Sequence, residues 1–138
     1  MSNNSYHIMV VDDEVEIATG LAETLAALTG HQVVPFSDPY RALQSFLKQP
    51  YHLVITDISM PNIDGFELLH RMREQVPVCQ FIVVTAHKTL EIVSRSRRLG
   101  AARVFFKPVD IEQLEKAVQE IFEQHQYWND LLIQVEGR

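Results

Sequence analysis

The sequence predicts an α/β protein with a doubly wound, five-stranded parallel sheet and helices on both faces of the sheet. Five short apolar runs alternate with five longer amphipathic stretches, as strands and helices do in such a fold. The apolar runs are nearly continuous and do not alternate with polar residues, which is typical of strands covered by helices on both faces. The chain has 138 residues and no internal repeat or linker-like tract, so we expect one domain with a C-terminal extension.

Each predicted strand is a short run of mainly β-branched and aromatic residues. In chain order the strands are Ile8 to Val11, Gln32 to Phe36, Leu53 to Thr56, Phe81 to Val84 and Val104 to Phe106. The second run contains Pro35, which has no N–H to donate to a neighbouring strand. We therefore expect this strand to lie at an edge of the sheet.

The predicted helices are stretches in which apolar residues recur at intervals of three and four. They span Glu14 to Leu28, the residues that follow Asp38, Phe66 to Gln75, Thr89 to Leu99 and Asp110 to Val135. Asp38 is expected to cap the second helix, while Gly30 and Gly100 are expected to end the first and the fourth. The residues expected to face the core are Ile17, Leu21, Leu25 and Leu28 in the first helix, Leu43, Phe46 and Leu47 in the second, and Leu69 and Met72 in the third.

The composition argues against several functional classes. Twelve basic and eighteen acidic residues give a net charge of −6, so we expect no direct nucleic-acid binding by this domain, because such binding depends on neutralising phosphates. No apolar run approaches the roughly 20 residues of a membrane helix, and the first five residues do not resemble a signal peptide. We therefore expect no membrane association and a cytoplasmic location. The one cysteine, Cys79, is expected to pack as a small apolar residue.

Polar side chains follow four of the five predicted strands. Asp12 and Asp13 follow the first strand, Asp57 the third, Thr85 the fourth and Lys107 the fifth. Ligands of open parallel sheets bind outside the carboxyl ends of the strands, so these side chains are expected to meet at one edge. Any one of them alone has an ordinary explanation, such as a helix cap or a turn. Four strand ends that supply matching chemistry favour a functional site.

The chemistry of this set predicts phosphoryl transfer. Three clustered carboxylates repel one another, so they either retain a proton or bind a cation, and oxygen ligands of this kind favour Mg²⁺. Lys107 supplies a positive charge for one phosphoryl oxygen and Thr85 a hydrogen bond for another. Mg²⁺, an ammonium and a hydroxyl around Asp57 make a site in which that carboxylate is phosphorylated.

The run from Asp57 to Gly65, DISMPNIDG, resembles the phosphoacceptor signature of response-regulator receiver domains. The acidic pair, the threonine and the Lys-Pro pair complete the pattern of that family in the same order. The resemblance covers about Tyr6 to Gln124. It implies a flavodoxin-like sheet of strand order 2-1-3-4-5, with a receiver domain over residues 1–124 and a C-terminal helical extension or linker over 125–138.

The resemblance also implies roles for the acidic residues. Asp57 would accept a phosphoryl group from the phosphohistidine of a sensor histidine kinase or of a histidine phosphotransfer protein. Asp13, Asp57 and the backbone carbonyl of Ser59 would bind Mg²⁺ directly, and Asp12 would act partly through water. The Ser59 side chain, two residues beyond Asp57, occupies a position that tunes the lifetime of the phosphorylated form in this family.

The residues that follow the last two strands would read the phosphoryl group. Lys107 would pair with it, and Thr85 would turn toward it as the switch. A cis peptide is expected at Lys107-Pro108. His87 occupies a second tuning position. Its side chain either hydrogen-bonds the phosphoryl group or an attacking water, or it lies in solvent without a function. Both interpretations are equally open.

One position departs from the family. Receiver domains usually have Tyr or Phe three residues before the lysine, and that aromatic side chain moves inward together with the switch residue; here the position holds Val104. Phe105 and Phe106 are expected to point in other directions along the strand. The usual aromatic coupling is therefore in doubt for this chain.

The C-terminal stretch continues the helical pattern beyond the family resemblance. Its apolar or large residues alternate at intervals of three and four, as in a coiled coil. They are Ile111, Leu114, Val118, Ile121, His125, Trp128, Leu132 and Val135. We expect an unbroken helix whose end forms a homodimer with a second copy, while a frayed tail is the alternative.

Two other functions and one surface remain open on the sequence alone. A Mg²⁺-dependent phosphatase with an Asp nucleophile is expected to carry a second Asp where this chain has Ser59, which argues against it. A degenerate receiver that acts without phosphate is disfavoured by the complete set of site residues. On the fourth helix, Arg95, Arg97 and Arg98 form either a solvated face or a docking surface for an acidic partner.

Overall fold

The computed structural model describes residues 5–137, which form five strands and five helices in strict alternation. The strands are β1 (His7–Val11), β2 (Gln32–Phe36), β3 (Leu53–Asp57), β4 (Gln80–Thr85) and β5 (Arg103–Phe106). The helices are α1 (Val15–Thr29), α2 (Pro39–Lys48), α3 (Gly65–Gln75), α4 (Leu90–Arg98) and α5 (Ile111–Glu136). Every predicted element is present, and no predicted boundary differs from the observed one by more than one residue.

All strand pairs are parallel, and the order across the sheet is β2-β1-β3-β4-β5. This confirms the predicted doubly wound sheet. It also confirms the edge position of β2, where Pro35 lies beside Val10. Since β1 and β3 are neighbours, and β3 and β4 are neighbours, the ends of these strands lie side by side at the centre of the sheet.

The sheet separates two apolar cores, because successive residues of a strand point to opposite faces. One core joins residues such as Val54 and Phe81 to α2 and α3, and the other joins Ile55 and Ile82 to α1 and α5. Cys79 is buried in the first core, where burial raises the pKa of its thiol to about 12. This confirms its expected role as a small apolar residue.

Several helix ends follow the predicted capping chemistry. The Asp38 side chain accepts a hydrogen bond from the Tyr40 N–H at the start of α2, and Asp110 caps α5 in the same way. Gly30 ends α1 with a φ of 76°, a left-handed conformation that glycine adopts without steric strain.

The predicted inward faces of α1 and α2 are partly wrong. Ile17, Leu28 and Leu47 are 40%, 47% and 55% exposed. In α1 the buried residues are Ala18, Ala22 and Leu25. Small alanine side chains let this helix lie close against the sheet beside Leu25, and Ile17 and Leu28 lie at the borders of its buried face.

Helix α5 runs unbroken for 26 residues, which is roughly 39 Å. Its buried residues end at Phe122, and the large apolar residues that follow are exposed except for Leu131, which is half-buried. The unbroken helix confirms that part of the prediction. The division at residue 124 remains a prediction, and residues 1–4 of the expected receiver domain lie outside the described part of the chain. Within residues 5–137 the structure contains no helix that is both long and apolar enough to cross a membrane.

Candidate functional site at the carboxyl edge of the sheet

Three carboxylates meet where β1 and β3 end. Asp12 and Asp57 are buried, with 4% and 7% of their surface exposed, while Asp13 is exposed. One oxygen from each of the three lies within 4.8 Å of the others. Neighbouring parallel strands that end at the same level produce this cluster, as predicted.

Lys107 lies between two of these carboxylates. Its Nζ donates a hydrogen bond to Asp12 Oδ2 at 2.8 Å and to Asp57 Oδ2 at 3.2 Å. Burial by itself lowers the pKa of Lys107, but the hydrogen bond to Asp12 and the negative charges of Asp57 and Asp12 outweigh burial and raise its pKa overall. The ammonium group therefore stays charged and offsets part of the repulsion between the carboxylates.

The segment after β3 holds the Asp57 side chain in place. The Ser59 N–H donates to Asp57 Oδ1 at 3.3 Å, and the Thr56 hydroxyl donates to the Asp57 backbone carbonyl at 2.9 Å. The chain then returns to the strand end, where the Gly65 N–H donates to the Ile58 carbonyl at 2.9 Å. Sequence reasoning did not identify Thr56, because an inward-facing threonine inside an apolar strand resembles an ordinary core residue.

Thr85 lies at the end of β4 and is fully buried. Its hydroxyl oxygen accepts the His87 backbone N–H at 3.0 Å, and its carbonyl accepts the Lys107 N–H at 2.8 Å. The His87 side chain is exposed. Thr85 therefore ends the strand next to β3, which carries Asp57. Within residues 5–137, no hydrogen bond joins the His87 ring to the acidic cluster.

The residues of β5 alternate between the two faces of the sheet. Val104 packs against the core that contains α3, and Phe105 packs against the core that contains α5. Phe106 is two residues beyond Val104 in the strand, and the direction of its side chain stays a prediction. Lys88 Nζ lies 5.3 Å from the centre of the Phe106 ring. The peptide bond between Lys107 and Pro108 is cis, as expected.

The acidic cluster fits a Mg²⁺ ion. Adjacent oxygen ligands about 2.0–2.1 Å from an octahedral Mg²⁺ lie roughly 2.9 Å apart, so the three carboxylate oxygens, which lie within 4.8 Å of one another, would draw closer around the ion. Oxygen donors without His or Cys match the preference of this ion. The residues able to bind it are Asp12, Asp13 and Asp57, and the backbone carbonyl expected to join them belongs to Ser59.

A largely apolar groove of about 750 Å³ runs between α1 and the start of α5. Its walls include Ile17, Gly20, Leu21, Pro108, Val109 and Ile111. Its inner end reaches Asp57 and Lys107. The sequence analysis missed this groove; the signal available in the sequence was Gly20, a residue without a side chain in the middle of a helix.

Comparison with known proteins identifies the family. Residues 8–119 match the response regulator receiver domain family. The chain belongs to this family and is a receiver domain of a two-component response regulator. The family is a signalling family whose members bind Mg²⁺ at an Asp cluster and interact with histidine kinases or phosphotransfer proteins. The phosphatase and the phosphate-independent receiver are not favoured.

Three relatives show how far the similarity extends. The chain is 32% identical over 117 residues to the probable chemotaxis protein CheY of Rhizobium etli, covering 83% of this chain and 91% of that protein. It is 33% identical over 112 residues to the sporulation initiation phosphotransferase F of Bacillus subtilis, covering 81% and 90%. A CheY-like response regulator receiver domain protein from Methanospirillum hungatei JF-1 has a TM-score of 0.80 at 26% identity, covering 90% of this chain and 99% of that one.

Proposed function

We propose that Asp57 is the phosphoacceptor, that its donor is a sensor histidine kinase or a histidine phosphotransfer protein, and that Mg²⁺ is the cofactor. One observation carries this proposal. Lys107 bridges the buried carboxylates of Asp12 and Asp57, with Asp13 beside them. A positive charge already in contact with the nucleophile is where a transferred phosphoryl group needs it.

The chemistry follows from these groups. An oxygen of Asp57 attacks the phosphorus atom of the phosphohistidine, a P–O bond forms, and the P–N bond breaks. The departing imidazole keeps the electron pair and takes up a proton. Bound Mg²⁺ supplies positive charge for the phosphoryl oxygens. Lys107 exchanges its hydrogen bond to Asp57 for one to a phosphoryl oxygen and keeps Asp12 as its other partner.

Thr85 is the proposed switch. Its hydroxyl oxygen accepts the His87 N–H, and its own proton can be donated to a phosphoryl oxygen, so turning toward that group would pull on the segment between β4 and α4. Ser59 and His87 are the proposed tuning residues, and Val104 occupies the position that usually carries an aromatic side chain. We also propose that the domain catalyses only its own phosphorylation and dephosphorylation. The same proposal includes a cytoplasmic location and no direct binding of nucleic acid by this domain.

Intact-mass analysis tests the central claim. The domain is incubated with a small acyl-phosphate donor and Mg²⁺, and one added phosphate is expected. A parallel sample with excess chelator is expected to show none. No addition in the presence of Mg²⁺ would overturn the proposal.

Mg²⁺ is expected to stabilise the fold, because it binds the native acidic cluster and not the unfolded chain. At about 100 times its dissociation constant it adds roughly 2.7 kcal/mol to the free energy of unfolding. Thermal melting with and without Mg²⁺ measures this shift, which should shrink in Asp13→Asn. Asp38→Asn is the control, since it removes an equal charge at a distant cap where Asn also serves. Equal shifts in both variants would contradict the proposed ligand set.

The groove beside α1 is the proposed contact for the phosphodonor protein. It is apolar, it opens onto Asp57, and Ile17 on its wall is 40% exposed. The test uses a histidine kinase that phosphorylates the wild type. Ile17→Lys is expected to slow transfer from this kinase by about tenfold or more, since losing a central apolar contact costs about 1–2 kcal/mol. Labelling by a small acyl phosphate should not change.

The matched control for this prediction is Leu28→Lys. Leu28 is 47% exposed and lies at the far end of the same helix, outside the groove. Transfer rates from the kinase are measured for both variants under the same conditions. Equal slowing of both would show that added positive charge on α1, and not loss of a contact in the groove, caused the effect.

The end of α5 is the proposed homodimer contact. Trp128, Leu132 and Val135 are 56%, 52% and 84% exposed and continue the apolar stripe beyond the sheet. Large apolar side chains at this spacing in water mark a partner surface. We propose a parallel pair of helices, in which Gln124 and Asn129, two uncharged residues that flank this stripe, give no repulsion between the two copies.

Sedimentation tests the dimer. The full chain is expected to self-associate, and a chain that ends at Gln124 is expected to remain a monomer. Leu132→Asp should dissociate the dimer because it places a charge within the apolar stripe. Gln134→Asp, which adds the same charge on the opposite side of the helix, should not. A monomeric full chain at high concentration would exclude this contact.

A further inference from the structure

The edge of the sheet opposite the phosphoacceptor site carries a cluster of aromatic and histidine rings. Three of its residues directly precede neighbouring strands: Tyr6 precedes β1, His31 precedes β2 and His52 precedes β3. The strand registers bring these residues side by side. Helix α5 covers them with Phe122 and His125. We call these five residues the Tyr6 cluster.

Tyr6 is the centre of the cluster and is 9% exposed. Its ring stacks on Phe122, with ring centres 4.0 Å apart and planes 12° apart. The rings of His31, His52 and His125 stand edge-on to it at 5.4, 5.0 and 5.4 Å. One tyrosine thus joins the amino ends of the strands to the second half of α5.

The hydrogen bonds of the cluster require two neutral histidines. His31 Nδ1 accepts the Tyr6 backbone N–H at 3.2 Å, and His52 Nδ1 accepts the His7 backbone N–H at 3.0 Å. A charged imidazolium carries a proton on both nitrogens and accepts no hydrogen bond. Proton uptake by either ring therefore breaks a bond to the backbone and places two N–H groups against each other.

The surroundings disfavour charge on both rings. Burial lowers the pKa of His31. Burial, followed by the charges of His125 and His7, lowers the pKa of His52. A histidine whose folded-state pKa lies below the unfolded value of about 6.5 stabilises the fold above that pH, and this stabilisation is lost as the pH falls through the folded-state pKa.

The other polar groups near the cluster lie on α5, on β1 and in the segment that precedes β3. On α5, Gln126 accepts a hydrogen bond from the Tyr6 hydroxyl at 3.3 Å, and Asp130, after burial, raises the pKa of that hydroxyl. Glu115, also on α5, lines a small cavity together with His31. On β1, the His7 ring stacks on Tyr51 and its Nδ1 donates to the Pro50 carbonyl.

The attachment of the second half of α5 depends on this cluster. Phe122 is the last buried residue of the helix, and His125 and Gln126 are the next contacts with the sheet edge. The exposed Trp128 and Leu132 follow directly. Loss of the contacts around Tyr6 leaves this part of α5 without its described attachment to the sheet.

We propose that the Tyr6 cluster is a proton-sensitive latch, in which proton uptake by His31 and His52 releases α5 from Phe122 onward. The latch controls whether the exposed end of α5 is held in one direction relative to the sheet. It is independent of the phosphoryl chemistry, which lies at the other edge of the sheet.

Hydrogen exchange of the full chain tests the latch. The opening of backbone amides in residues 122–136 is measured from pH 7.5 to pH 5.5, corrected for the intrinsic pH dependence of exchange, with amides of β3 and β4 as the internal reference. The opening of this segment is expected to rise by up to about tenfold per pH unit for each proton taken up. If the opening of residues 122–136 changes with pH only as much as the opening of the reference amides does, the proposal is overturned.

Variants identify the groups responsible. In the double variant His31→Asn and His52→Asn, each side-chain oxygen is placed to accept the same backbone N–H but does not take up a proton. The extra opening at low pH is expected to disappear. The control, His70→Asn, changes an exposed histidine of α3 and should leave the wild-type opening of residues 122–136 unchanged. Extra opening that persists in the first variant would assign it to other groups and overturn the latch.

A measurement on the wild type keeps the test valid if the double variant does not fold. Nitrogen chemical shifts of the imidazole rings distinguish the two neutral tautomers and the charged form. At pH 7.5, His31 and His52 are expected to be neutral with the proton on Nε2. A proton on Nδ1 of either ring would overturn the proposed mechanism.

Discussion

We expect the Asp57→Asn variant to take up no phosphoryl group from a small acyl-phosphate donor under conditions in which the wild type takes up one. The amide of Asn has nearly the shape of the carboxylate but is not a nucleophile for phosphorus. Asp12 and Asp13 are unchanged in this variant and are incubated with the same donor. The effect should therefore be complete loss of labelling and not a reduced rate.

The fold of this variant is expected to persist. Lys107 keeps its 2.8 Å hydrogen bond to Asp12, and the removal of one of three clustered negative charges reduces repulsion. Thermal melting of the unlabelled variant checks this point, and intact mass measures the labelling. Asp38→Asn serves as the control and should be labelled like the wild type. Equal labelling of Asp57→Asn would place the phosphoacceptor elsewhere.

The fold was largely predictable because its strongest signals are local. Continuous apolar strands such as β3 are buried along their whole length, and side chains such as Asp38 and Asp110 fix the starts of helices by hydrogen bonds to nearby N–H groups. The inward face of α1 was not predictable in the same way. Ala18 and Ala22 carry little apolar signal, and their burial depends on how closely the helix approaches the sheet.

The positions of the site residues were predictable because parallel strands end together, but their contacts were not. The sequence places Asp12, Asp57 and Lys107 at strand ends, whereas the bridging position of the lysine depends on the distance between strands. The Tyr6 cluster was missed for a related reason. His31 and His52 are far apart in sequence, and only the register of three strands brings them to the same ring.

Gly65→Ala is expected to lower the free energy of unfolding and to impair phosphorylation together. A Cβ atom at this position would collide with the Asp57 backbone carbonyl and would lie 2.9 Å from the Ile58 Cα atom. Backbone atoms at the end of a central strand have little room to shift, so the start of α3 must move away. Overpacking of this kind costs about 1–3 kcal/mol.

The displacement reaches the site because Gly65 lies against Asp57, the proposed phosphoacceptor. Moving α3 weakens the 2.9 Å hydrogen bond from the Gly65 N–H to the Ile58 carbonyl and shifts the segment that positions Ser59 against Asp57. Denaturant unfolding measures stability, and intact mass after exposure to a small acyl phosphate measures labelling. Both are expected to fall in the variant, and slower labelling should remain under conditions in which the variant is folded.

Gly20→Ala is the matched control, because the same substitution there meets no atom within 4 Å. Gly20 lies inside α1, where replacing glycine by alanine reduces the conformational freedom of the unfolded chain and stabilises a helix by about 0.5–1 kcal/mol. The two substitutions therefore have opposite expected signs. A Gly65→Ala variant that is as stable as Gly20→Ala and is labelled at the wild-type rate would show that the start of α3 does not need to lie against the end of β3 for the site to form.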